Sequence, residues 1–143
     1  MAATYVKYQH FVEHLGLQMH NLDTDLLSLA LSNRSPVVGT DEALATCTPI
    51  TEQNGYAKAT VASTYSQTTG TGTCQGTTVV WTGTTTDPAF GPFQYVILFN
   101  DTYASAPVDP VIAYWSYGSS ISVNNGETFT ATIGAPGTLF TIV

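Results

Sequence analysis

Turn-forming residues interrupt this 143-residue chain so often that mostly short elements fit between them. Pro36 with Gly39, Asn54-Gly55, residues 83–92, Pro107 with Pro110, Asn124-Asn125-Gly126 and residues 134–137 each separate one run from the next. Such breaks recur roughly every 8–12 residues, the spacing of an antiparallel sandwich or jelly roll. The runs between them favour Thr, Val, Ile, Tyr, Phe and Trp, which suit a pleated, half-buried surface. There is no strand–helix alternation of the parallel α/β kind and no fixed-period repeat. The expected fold is therefore all-β: a single antiparallel β-sandwich or jelly-roll-like domain over residues 1–143, long enough to bury a real core.

About eight strands are expected, at residues 25–31, 56–65, 77–82, 93–99, 111–117, 119–123, 127–133 and 138–143. Residues 93–99 (FQYVILF) are the most apolar and are placed centrally. Asn-Gly at 125–126 predicts a hairpin between residues 119–123 and 127–133. Residues 66–76 read as a loop of small residues or the tip of a long hairpin. Residues 5–20 are the one helix candidate, because Tyr8, Phe11, Val12, Leu15 and Met19 recur at helical spacing. Gly16 shortens that helix, or part of the segment is a strand, so residues 1–22 read as an N-terminal arm or short helix. Asp41 with Glu42 is expected to cap one helical turn at 41–46.

Charge narrows the function. Three Lys and Arg against ten Asp and Glu give a net charge of −7, and only 9% of residues are charged where ~25% is ordinary. A phosphate-backbone reader or a polybasic membrane binder needs many cations, so neither nucleic acid nor membrane is expected as a partner. Few interspersed charges also mean that part of the surface is expected to be covered by a partner or by copies of the chain. Met1 to Tyr5 has neither the basic start nor the apolar core of an export signal. Cys47 and Cys74 are accordingly expected as reduced thiols, with a cross-strand disulfide as the alternative.

Side chains with possible chemistry are sparse. His10 and His14 would share a helical face, but a metal needs a third ligand; surface or interface histidines are the plainer reading, for His20 too. Asp23, Thr24 and Asp25, with Asp41 and Glu42, lack the offsets of a calcium loop and read as turn and cap residues. Neither cysteine carries a nucleophile signature, and no Gly-x-Ser-x-Gly elbow or phosphate-binding glycine loop is present. Trp81, Tyr95, Tyr114, Trp115 and Tyr117 could stack on a sugar, but alternate strand residues face opposite ways, so core and subunit interface are the plainer reading. No catalytic, cofactor-binding or metal residue is expected, no cofactor, and no enzymatic activity.

Several phrases run in a recognisable order: His20-Asn21-Leu22, Leu29-Ala30-Leu31-Ser32-Asn33, Asn54-Gly55-Tyr56, Gly91-Pro92-Phe93, Asn100-Asp101 and Tyr117-Gly118-Ser119-Ser120. Across nearly the whole chain this resembles a group of small tailed-phage virion proteins. The resemblance implies a non-enzymatic structural protein, first of all a capsid decoration (cement) protein. Such a protein would be made in the bacterial host cytoplasm and sit on the outer capsid surface of the virion. It would act as a homodimer or homotrimer that clamps adjacent major capsid protein subunits. The family supplies no active-site residues. Contact is expected through the segment before Leu22 and the C-terminal strand, because termini reach neighbours most freely. The alternatives are a tail, head–tail junction or fibre subunit, and a carbohydrate-binding β-sandwich. A cupin-type isomerase fits poorly, since all three histidines precede the strong strands.

Overall fold

One long strand organises the molecule. In the computed structural model, which describes residues 3–132 and 137–143, β7 (Phe90–Asn100) lies at the centre of a five-stranded antiparallel sheet. Its neighbours are β8 (Val111–Val123) and β2 (Leu27–Ser32), with β1 (Tyr5–Lys7) and β3 (Ala59–Thr60) at the edges. A three-stranded sheet holds β4 (Thr64–Thr68), β5 (Thr71–Gln75) and β10 (Thr138–Ile142). β6 (Val79–Thr82) and β9 (Thr128–Ala131) form a two-stranded ladder. One short helix, α1 (His10–Gly16), and a 3-10 turn at Leu44–Cys47 complete the elements. The result is an all-β sandwich with antiparallel sheets, as the strand pattern predicts.

The central sheet is covered on both faces, and the composition of β2 shows how. Leu27, Leu29 and Leu31 join Phe90, Phe93 and Leu98 in a core that also holds Val79, Trp81 and Phe140 from the smaller sheets. The opposite face carries Ser28, Ala30 and Ser32, all buried. Small side chains there let the loops approach closely. Ser32 Oγ donates to the Cys47 carbonyl at 2.6 Å, and Ser28 Oγ to Asp101 Oδ2 at 3.0 Å. Ala30 packs with Tyr8, Leu44, Cys47, Ile97, Phe99 and Val111 in a second cluster.

Several boundaries differ from the sequence reading. Residues 5–7 are a strand paired with β8, and the helix is confined to His10–Gly16. Its buried residues are Phe11 and His14, whereas Val12, expected inward, is 57% exposed. The expected 56–65 strand divides into β3 and the start of β4, because Ala62 takes a positive φ of 43° and turns the chain. Residues 66–76 form the arms of the β4–β5 hairpin around Thr69-Gly70. β7 begins at Phe90 and runs through Pro92, where the ladder to β8 shifts register; proline has no N–H to give it. Residues 111–123 are one strand, bent at Gly118 with φ +95°. Asp41 caps nothing: its Oδ2 accepts from Arg34 and from the Val37 N–H, both at 2.7 Å, and the 3-10 turn has no side-chain cap.

The Asn-Gly turn forms, but the hairpin does not. Glu127 N–H donates to the Asn124 carbonyl, yet β9 pairs with β6 rather than with β8. Gly126 has φ +83° and open space where a Cβ would stand. Gly126→Val is expected to cost about 1–2 kcal/mol from the left-handed backbone alone, measured by denaturant midpoint. An unchanged midpoint would remove the strain argument. Most of the turn expected at residues 134–137, and Ile133 before it, lies outside the described residues.

Candidate functional site

The longest stretch of sequence without a charged residue is largely exposed. From Ala59 through Thr86 there is no Asp, Glu, Lys, Arg or His. Thr64, Ser66, Gln67 and Thr68 of β4 are exposed, as are Thr69 and Gly70 at the hairpin tip. Thr69 and Gly70 have φ of 48° and 88°, the positive pair that a tight two-residue hairpin uses. β4 lies at the edge of its sheet, and among the described residues its outer side pairs with no strand. It carries neither the charges nor the prolines that usually blunt such an edge. Thr77, Val80, Thr82 and residues 84–86 continue the exposed, uncharged stretch past β6.

The N-terminal histidines come together, and two of the three are buried where surface or interface rings were expected. His14 and His20 are only 3% and 6% exposed. The ring centroids of His10 and His14 lie 5.9 Å apart, and those of His14 and His20 5.8 Å. Burial, then the neighbouring imidazole, holds both His14 and His20 below the ordinary range, His20 at about 4. His10 stacks on His14 and His20 lies tilted beside it, and among the described residues no group of three or more His, Cys, Asp or Glu could hold a metal ion. His20, Asn21, Leu22 and Asp23 also line an open cleft of about 550 Å³ with Leu15, Gln18, Tyr65 and Ile142.

The remaining candidates have structural partners. Asp25 Oδ2 accepts from the Asn21 N–H and from Asn100 Nδ2, and the Asp23 N–H donates to Asn21 Oδ1. Cys47 and Cys74 are free, buried and in different core clusters. Burial pushes both thiols up, Cys74 to about 11, which leaves little thiolate for nucleophilic work. The aromatic set divides between faces: Tyr95 and Tyr114 pack on one cluster, Trp115 on the other. Trp81 is buried and donates from Nε1 to the Ala57 carbonyl at 2.7 Å. Tyr117 alone of the five is exposed, with its ring edge on Phe129.

β1 adds to the central sheet, and β10 pairs with β5. The segment before Leu22 thus supplies a strand and α1 to the fold, and the C-terminal strand shares its sheet with the uncharged β4 and β5. The uncharged stretch was legible as the absence of any charge between Lys58 and Asp87. Among the described residues no helix is long and apolar enough to cross a membrane. Comparison with protein-family models, curated proteins and solved structures finds no match for this chain.

Proposed function

We propose that this chain is a non-enzymatic structural subunit of a tailed-phage particle, decorating the outer capsid surface by clamping adjacent major capsid protein subunits. One observation carries the reading furthest: residues 59–86 carry no charged side chain, expose many Thr, Ser and Gln, and include the edge strand β4, which among the described residues pairs on one side only. An open β edge gives main-chain hydrogen bonds to an added strand, and those bonds need no particular side chain on the partner. A polar surface without charges has few ion pairs for salt to screen. As a homodimer or homotrimer, the subunit would hold the lattice at several points, so that modest contacts combine into tight attachment.

The test is attachment of the purified chain to particles that lack it, followed by co-sedimentation. The expected result is attachment that persists from about 0.1 M to about 1 M salt. A Ser66→Lys, Thr68→Lys double variant is expected to attach at least tenfold more weakly, because charges on an edge strand oppose pairing. No attachment by the wild type would overturn the capsid reading. Attachment lost at high salt, or unaffected by the double variant, would overturn the part assigned to β4.

A further inference from the structure

We infer that His14 and His20, with His10 stacked on His14, form an acid-labile clasp, which holds α1 against the sheets while the His14 and His20 rings are neutral and releases it when those two take up protons. The rings make a continuous pile. His10 stacks on His14, His14 lies beside His20, His20 meets Phe11 at 5.3 Å, and Phe11 meets Phe140 of β10 edge-on at 5.4 Å. Through these contacts the helix is fastened to the C-terminal strand. His10 Nδ1, His14 Nδ1 and His20 Nε2 are buried without a hydrogen-bond partner.

His20 has little to gain from a second proton. Asn100 Nδ2 lies 3.2 Å from His20 Nδ1, 3.0 Å from the Met19 carbonyl and 2.6 Å from Asp25 Oδ2, so its two hydrogens are shared among three acceptors. An amide nitrogen can only donate, so in the imidazolium the Nδ1 N–H would face another donor, and Nε2 has no hydrogen-bond partner.

Charged neighbours oppose the clasp only weakly. Glu13 on α1 and Glu42 before the 3-10 turn favour the His14 cation, while His10 disfavours it. Both glutamates are exposed. Asp25 favours the His20 cation, but its Oδ2 already accepts two hydrogen bonds. Asp23 and Tyr65 share the cleft that His20 lines, and β7 offers only the neutral Asn100. Burial prevails, so both imidazoles are harder to protonate in the closed form.

The sign is fixed by that difference. An opened histidine takes its proton near pH 6.5. The closed state keeps its full stability above that value. It loses stability as pH falls through the window from about 6.5 towards about 4, where the open form binds more protons. Opening rises up to about tenfold per pH unit for each proton gained, and up to about 100-fold when His14 and His20 both charge. β1 stays in place, because it is laddered to β8 and the Tyr8 N–H donates to the Ile112 carbonyl. Release therefore exposes Phe11 and Phe140 without unfolding the sheets.

Amide hydrogen exchange of the full chain from about pH 7.5 to about pH 4.5, corrected for intrinsic rates, reads this directly. The Leu17 and Met19 amides, which donate to the Glu13 and His14 carbonyls, are expected to lose protection at least tenfold across the window while β7 and β8 stay protected. The His14→Gln, His20→Gln double variant is expected to flatten the response. Constant α1 protection, or loss in step with β7, overturns the clasp. If the variant fails to fold, imidazole titration of the wild type by NMR decides: His14 and His20 protonating at or above about pH 6.5 would overturn it, and protonating below would support it.

Discussion

Replacing Leu98 by alanine is expected to remove about 2–5 kcal/mol of stability. Leu98 is fully buried on β7, with Leu29 of β2 opposite it on one side and Ala113 of β8 on the other. Its side chain belongs to the larger core cluster, between the central sheet and the smaller ones. Ala113 is already small, so nothing nearby on that strand can move in to fill the space. Both flanking strands are hydrogen-bonded to β7, which limits collapse of the backbone. A domain of this kind has about 5–15 kcal/mol in total, so the loss lowers the denaturation midpoint by a large fraction. A loss under about 0.5 kcal/mol is the behaviour of a surface position and would contradict the central placement of β7.

Gly55→Val should cost about as much for a different reason. Gly55 has φ +96°, and a Cβ there would fall on the Thr82 carbonyl oxygen, with the Thr82 carbonyl carbon at 3.0 Å. The turn cannot back away, because the Thr84 N–H donates to the Asn54 carbonyl at 2.8 Å and Asn54 Nδ2 donates to the Ala89 carbonyl at 3.0 Å. Backbone strain of about 1–2 kcal/mol adds to an overpacking cost of about 1–3 kcal/mol. Denaturant unfolding of Gly55→Val beside Gly126→Val separates the two terms, since only the first meets neighbouring atoms. Equal losses would mean that the close approach at Thr82 is wrong.

The two glycines mark how far the sequence could be read. Asn-Gly announces a tight turn, and both turns are present. It does not announce which strand receives the chain afterwards. β9 leaves the Asn124–Gly126 turn and joins β6, where Trp81 stands opposite Phe129 and their rings stack at 6.0 Å. That pairing joins residues some 48 positions apart, and no local pattern encodes it. β7 was legible because the apolar run Tyr95–Phe99, short and bounded by turn signals, suits a strand buried on both faces. β2 was half legible: Leu27, Leu29 and Leu31 share one core face as their spacing implies, but no local pattern shows that Ser28 and Ser32 are buried against loops. In the N-terminal segment, helical spacing captured Phe11 and missed His14, because histidine counts as polar in such a pattern until its surroundings are known. The uncharged surface was present in the sequence as a gap between charges, which a search for reactive residues passes over.

The proposed role makes this chain a repeated part of a virion surface. The most direct measurement is its copy number in purified particles, by quantitative mass spectrometry against the major capsid protein. The account predicts a number comparable with the capsid lattice itself, hundreds of copies per particle. A count limited to one ring of subunits would contradict decoration and move the chain to the tail or the head–tail junction, and its absence from particles would contradict the virion assignment altogether.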